Sequence, residues 1–250
     1  MKVLFFANTD WYLYNFRLPL IKHVQELGHE VVVVSPDGQY AERFKSMGIL
    51  WVPINMKRRS MNPFSEIGVL MRLLYIFNKH KPDVVHNFTL KCVVYGSLAA
   101  VLLRIKRIIN GITGMGYAYS STSTRARYLK VLLTSLMRLL FKSKAVVVIV
   151  QNEDDFSFLL EKNMVAESKL RLIRGSGVNL ARYTPSISND SNQKLVVLMA
   201  TRLLEEKGVR EYVAASIQVS DNKPHATFLL AGNPDPGNPS SISLQELELW

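Results

Sequence analysis

An α/β fold made of two units, each with a parallel sheet, is the class this sequence predicts, and three observations predict it. Short β-rich runs alternate with helical periodicities from Lys2 to Ile173, the pattern of successive βαβ crossovers. Val31-Val32-Val33-Val34 is an unbroken β-branched run, as expected of a strand buried on both faces of a parallel sheet. A glycine-bearing turn, Arg174-Gly175-Ser176-Gly177, and a Pro/Ser/Asn/Asp stretch then precede a fresh strand–helix–strand pattern. A second unit therefore begins there. The predicted division is residues 1–182, a linker over 183–193, and a partial second unit over 194–250.

Each element has its own signal. Residues 2–7 form the first strand and end at the turn-prone Asn8-Thr9-Asp10. Leu18, Leu20, Ile21, Val24 and Leu27 recur at helical spacing, with Pro19 suited to the first turn and Gly28 to the end. A helix near 40–47 and a strand over 50–54 follow. Lys57-Arg58-Arg59 opens a polar loop before a helix over about 63–79. Asp83-Val84-Val85-His86-Asn87 is a strand whose carboxyl end carries His86. A helix through Tyr95 and Leu103 leads to a strand over 107–110, then to the glycine-rich loop Gly111–Tyr117. A basic helix over 125–141, a strand over 145–150, a helix over 154–162 and a strand over 170–173 complete the first unit. The second holds a strand over 194–200, a helix over 207–219, a strand over 226–231 and a dense turn at 233–239. Two strands alone would leave apolar sheet surface uncovered.

Composition narrows the function. The 250 residues are 48% hydrophobic and 20% charged, which is globular. The net charge of +11 is uneven: residues 1–180 hold 25 Lys and Arg against 12 Asp and Glu, the remainder 6 against 8. No acidic residue lies between Asp83 and Glu153, while Lys91, Arg104, Lys106, Arg107, Arg125, Arg127, Lys130, Arg138, Lys142 and Lys144 all do. Such a face attracts phosphates of nucleotides, nucleic acids or anionic lipids. The single cysteine, Cys92, fits a reducing compartment. Val3–Ala7 is too short for a signal-peptide core, and the apolar run 131–150 is broken by three cations. The expectation is a cytoplasmic protein without a membrane span.

Several residues could carry chemistry. Arg202 follows a strand and Lys207-Gly208 precedes a helix, so the two cations read as a diphosphate clamp beside a helix N-terminus or as two surface charges. Gly175 and Gly177 permit a tight turn with close backbone approach to a ligand. His86 sits where a parallel strand meets a cleft, free to hydrogen-bond a sugar or phosphate, or satisfied structurally. Asp10 and Arg17 lie near the end of the first strand, as cleft residues or as an ion pair flanking a helix. No His/Cys/Asp cluster has metal-ligand spacing. The first strand lacks a GxGxxG, and neither GxSxG nor GxxxxGK[ST] occurs, so dehydrogenase, nucleophile-elbow and P-loop chemistry are unsupported.

Gly175-Ser176-Gly177-Val178-Asn179 with Tyr183 and Pro185, followed by Ala200-Thr201-Arg202-Leu203-Leu204-Glu205-Glu206-Lys207-Gly208, resembles glycosyltransferase family 4. Asn179 stands where that family usually has Asp, and Tyr183 where it has Phe. Asn8-Thr9-Asp10-Trp11, Phe16-Arg17-Leu18-Pro19 and Val85-His86-Asn87-Phe88-Thr89-Leu90-Lys91 resemble a subgroup adding hexosamines to undecaprenyl-diphosphate-linked sugars. The resemblance implies a GT-B fold of two Rossmann-like domains, the second incomplete here. It implies retaining transfer from a UDP-sugar with no metal and no cofactor. Arg202 and Lys207 would hold the donor diphosphate beside Gly175 and Gly177, His86 would face the transferred sugar as the catalytic-site histidine, and Asp10 and Arg17 would bind the acceptor.

The family's E-x7-E donor motif is expected some tens of residues beyond Leu230, past the last residue of this sequence, so the expectation is an inactive, C-terminally truncated fragment. The basic face would place the protein peripherally on the inner face of a bacterial membrane, beside a lipid-linked saccharide acceptor. Nucleic acid is not an expected partner. Two rivals stand beside this reading: a GT-B nucleotide-sugar epimerase, and a basic binding module without catalysis.

Overall fold

The computed structural model describes residues 1–57, 62–115, 119, 124–181, 183–184, 195–222, 226–235, 238 and 240–250. They belong to two units, Met1–Val178 and Asn179–Trp250. Among the features read from the sequence, residues 58, 59, 116, 117, 185–194, 236, 237 and 239 lie outside the described residues, and so does the side chain of Arg125.

The sheet of the first unit consists of β1 (Lys2–Phe6), β2 (Glu30–Ser35), β3 (Leu50–Pro53), β4 (Val84–Phe88), β5 (Arg107–Ile112), β6 (Val146–Val150) and β7 (Leu170–Leu172). They lie in the order β3-β2-β1-β4-β5-β6-β7, and every pairing is parallel. Chain progression reverses between β1 and β4, the switch point beyond which ligands bind in open α/β sheets. The register there sets Phe5 beside His86 and Phe6 beside Asn87.

Strand periodicity builds two cores. Leu4, Phe6, Val32, Val34 and Val85 face α4 (Pro63–His80), α5 (Leu90–Leu102) and α6 (Thr124–Phe141), meeting Leu73, Cys92, Met137 and Phe141. Their neighbours Val3, Phe5, Val31, Val33, Val84 and Phe88 face the other way, onto Leu13, Ile21 and Phe44. Each fully buried side chain of this kind contributes about 1.5–3 kcal/mol. Val31–Val34 are buried throughout, because helices cover both faces. Another helix, α7 (Glu153–Glu161), follows β6.

In the first unit, two stretches read as turn or loop are built differently. The chain does not simply turn at Asn8–Asp10: Thr9 caps a short helix, α1 (Asp10–Tyr12), by accepting the Tyr12 amide on Oγ1 at 3.1 Å. A π-helical turn, Leu13–Arg17, then joins α1 to α2 (Leu18–Glu26), and α3 (Ala41–Ser46) follows β2. Gly111 and Ile112 belong to β5 rather than to a loop, since Gly111 pairs with Phe88 on one side and Ile149 on the other.

In the second unit, β8 (Leu195–Ala200) and β9 (Ala226–Ala231) are parallel and in full register. Leu203, Val209 and Ile242 form its buried cluster, beside α8 (Val209–Asn222) and α9 (Leu244–Glu248). Val196, Leu198 and Leu229 stay exposed on the uncovered sheet face. The helix does not begin at Lys207: Glu205–Lys207 is a 3-10 turn, and Gly208, at φ +74°, breaks the path before α8. Among the described residues no helix is long and apolar enough to cross a membrane.

Candidate active site

The carboxyl ends of β1 and β4 gather the first set of residues. Asp10 is buried, and both of its oxygens are engaged by backbone: Oδ1 accepts from the Trp11 amide and Oδ2 from the Tyr40 amide, each at 2.7 Å. A Cβ at Gly38 would fall 2.3 Å from Oδ1, so the loop after β2 can close on this carboxylate only with glycine there. Asp10 thus locks that loop to the start of α1. It forms no ion pair with Arg17.

Arg17 is aimed inward by the π-helical turn, a device that often re-directs side chains at functional sites. Its Nε and Nη2 both donate to Tyr12 Oη, at 2.9 and 2.6 Å. Its guanidinium lies 4.6 Å from the centre of the Phe88 ring. Burial pushes the Tyr12 phenol above its usual range, opposed in part by Arg17 and by a hydrogen bond with Thr113.

His86 stacks on the same ring, with centroids 4.1 Å apart, and lies 5.8 Å from Phe5. Burial, reinforced by the charge of Arg17, lowers its pKa to about 3. The imidazole is therefore neutral near pH 7, offering a hydrogen bond rather than a charge. Its Nε2 is buried and has no hydrogen-bond partner among the described residues. Such an atom costs about 1–3 kcal/mol until something bonds it. Phe88 can lie as it does because β5 has glycine opposite: a Cβ at Gly111 would approach the ring to 2.9 Å.

The support behind this cluster carries no recognisable motif in the sequence. Asn87, on the opposite face of β4, donates through Nδ2 to Asn110 Oδ1 at 2.9 Å, and Ser97 Oγ donates to the same oxygen at 3.0 Å. All three are fully buried. A Cβ at Gly96 would lie 1.9 Å from Asn87 Oδ1, so α5 approaches β4 only as glycine. Asparagine at register-paired positions of two apolar strands was the available signal. Thr89, which follows at once, has φ +68° and ψ 147°, a region that β-branched residues avoid at a cost of about 1–3 kcal/mol. Tyr12 was equally unforeseen.

The remaining candidates fall in two places. Gly175 and Gly177 belong to the first unit and both use the left-handed region, φ +66° and +71°. Arg174 just before them pairs with Glu153. In the second unit, Arg202 leaves the carboxyl end of β8 with its side chain 58% exposed, 3.9 Å from Asp235. A Cβ at Gly232 would sit 2.0 Å from the Thr201 carbonyl oxygen, so the chain after β9 crosses close behind Arg202. Lys207 is exposed in the 3-10 turn before α8, while the neighbouring Glu205 is held by Arg210 at 2.7 Å. The structure brings His86 and Arg17 together on Phe88, keeps Asp10 apart as a backbone anchor, and sets Arg202 and Lys207 at either end of one loop.

Comparison with known proteins gives the family and the fold class. The chain is 27% identical, over 99% of its length, to N,N'-diacetylbacillosaminyl-diphospho-undecaprenol alpha-1,3-N-acetylgalactosaminyltransferase of Campylobacter jejuni, of which it spans 67%. It is 23% identical over 70% of its length to UDP-Gal:alpha-D-GlcNAc-diphosphoundecaprenol alpha-1,3-galactosyltransferase of Escherichia coli, spanning 46% of that protein. The sucrose-phosphate synthase of Thermosynechococcus elongatus, a solved structure, shares the fold, with a TM-score of 0.68 at 16% identity over 99% of this chain and 66% of that one. Residues 2–152, the seven-stranded unit up to the end of β6, match the model of the glycosyl transferase 4-like family. A sheet with its switch point at His86, the GT-B architecture of its structural neighbours and a family match over more than half its length make this chain a member of the glycosyl transferase 4-like family.

Proposed function

We propose that this chain works in the transfer of a hexosamine from a UDP-sugar to a saccharide carried on undecaprenyl diphosphate, with retention at the anomeric carbon. The observation that carries the reading is the alignment of 99% of the chain with the Campylobacter jejuni N-acetylgalactosaminyltransferase. Arg202 and Lys207 meet the charge that develops on the departing diphosphate, an electrostatic role that requires neither a metal nor a cofactor. Gly175 and Gly177 let backbone amides approach the donor. His86, neutral and with an unpartnered Nε2, hydrogen-bonds the transferred sugar. Arg17 takes an anionic or hydroxyl group of the acceptor, and Asp10 shapes the loop around it. The cation-rich run from Lys91 to Lys144 holds the protein peripherally on an anionic leaflet, each cation contributing about 1 kcal/mol near the surface.

The test takes a version of the chain extended to the length of the Campylobacter jejuni relative, of which residues 1–250 span 67%. It supplies UDP-hexosamines together with vesicles bearing an undecaprenyl-diphosphate-linked saccharide, and follows sugar incorporation and the anomeric configuration of the product. Incorporation with retained configuration is the expected result. Inversion removes the assignment of retention. Conversion of the UDP-sugar to an isomer without any acceptor would replace the transferase reading with an epimerase.

A further inference from the structure

We infer that the groove between the end of β3 and α4, together with an apolar stripe on α4, is a docking surface for the headgroup layer of an anionic lipid bilayer. The groove has a volume of about 630 Å³ and is lined by Pro53, Asn55, Lys57, Ser65, Gly68 and Arg72. Two cations, an amide and a hydroxyl converging on one hollow are the donor set a phosphodiester needs. Gly68 leaves the wall open, with nothing within 4 Å of where a Cβ would stand.

Beside the groove, Phe64, Ile67, Met71 and Tyr75 are 85%, 59%, 60% and 54% exposed. Spacings of three and four residues set them in one line along the helix. At about 100° per residue, that line lies roughly a quarter-turn round from Ser65, Gly68 and Arg72. The latter flank the buried line of Val69, Leu73 and Ile76. Helix α4 therefore carries three adjoining strips: one for the core, one polar and cationic, one apolar. A water-facing helix needs only the first, and an ordered exposed apolar line marks a contact surface.

Charge identifies the occupant. The acidic side chain of α4, Glu66, is already held by Lys91 Nζ at 2.8 Å. The same ammonium donates to the Lys57 carbonyl at 2.8 Å, which fixes the loop end that presents Lys57. Arg72 lies over the Tyr75 ring at 5.1 Å, on the border between the cationic and the apolar strips. Cations alternating with aromatic and aliphatic side chains over one helix face match a bilayer interface, where phosphates lie above acyl chains. A nucleic-acid backbone would supply the phosphates but no layer for Ile67 and Met71. The inference rests on the reading that the chain works at a membrane, but it names a different helix from the basic run of α6.

Flotation of the full chain with vesicles of mixed phosphatidylglycerol and phosphatidylcholine tests it. Lys57→Gln with Arg72→Gln, and separately Ile67→Ser with Met71→Ser, should each lower vesicle partition by roughly tenfold. Thermal unfolding should stay at the wild-type midpoint, because these side chains are exposed. Arg127→Glu with Lys130→Glu serves as the α6 comparison. If both α4 pairs bind like the wild type while the α6 reversal releases the protein, the α4 surface is wrong and the membrane reading survives. If the wild type does not float with anionic vesicles, both fail. Inorganic phosphate or a single-stranded oligonucleotide that binds through Lys57 and Arg72, with vesicle partition unmoved by their loss, would also overturn the bilayer assignment.

Discussion

The guanidinium of Arg17 lies 4.6 Å from the centre of the Phe88 ring, against which His86 also stacks at 4.1 Å. The two basic groups are thus coupled through one aromatic surface, and the charge of the first helps to keep the second neutral. Arg17→Gln should raise the His86 pKa while leaving burial as the larger cause of its depression. Imidazole resonances followed by NMR through an acid titration check this. A titration midpoint that does not move would show that the two groups are electrostatically independent.

The same histidine sets a pH dependence of stability. Folded His86 takes up its proton only near pH 3, against an ordinary value of 6.5. Between those values the unfolded chain binds more protons, so stability rises with pH there and is lost as pH falls from about 6.5 toward 3. His86→Phe removes this titration. Urea unfolding across that window should give a flatter acid limb for the variant, and equal slopes would contradict a buried neutral imidazole.

Gly96→Ala should destabilise the first unit by about 1–3 kcal/mol, because its methyl group would have to displace Asn87 from the Asn110 and Ser97 contacts. Gly28→Ala provides the contrast: nothing lies within 4 Å of its missing Cβ, but its φ of +78° makes the cost one of backbone conformation alone. Denaturant midpoints separate the two. The double variant Gly96→Ala with Asn87→Ala should recover part of the loss if the clash is the cause.

In the version extended to the length of the Campylobacter jejuni relative, Arg202→Ala or Lys207→Ala should each cost roughly 2–4 kcal/mol in transition-state stabilisation, read from kcat/KM for sugar transfer. Lys207→Arg should also be damaging, since a compact ammonium and a planar fork are not equivalent. Near-normal turnover in Arg202→Ala would remove that residue from the donor site.

Much of this architecture was legible in residue order. Alternating strand and helix patterns located the parallel sheet, and Val31–Val34 announced a strand covered on both sides. The Pro/Ser/Asn/Asp stretch before Lys194 marked the point after which a fresh strand–helix–strand pattern begins. What escaped was set by contacts rather than by pattern. The helix at Asp10 depends on one hydroxyl, Thr9 Oγ1, reaching an amide three residues on, which a short Asn-Thr-Asp run does not distinguish from a turn. The inward aim of Arg17 depends on a π-helical turn with no periodic signature. The late start of α8 depends on Gly208 adopting a left-handed conformation, where Lys207-Gly208 reads equally well as a helix opening. The Asn87–Asn110–Ser97 network joins residues from two strands and a helix, and only the register of β4 with β5 brings them together.

Thr89 has an evolutionary consequence. A glycine there would relax the backbone at φ +68° and ψ 147°, recovering about 1–3 kcal/mol of strain against roughly 0.5–1 kcal/mol of added chain entropy. One codon change would therefore yield a sturdier protein, and selection for durability alone would favour it. A lineage that keeps threonine at this junction forgoes that gain, as expected where catalysis and stability compete. Deep mutational scanning under two separate selections, for folded abundance and for the proposed sugar transfer, should rank Thr89→Gly in opposite directions.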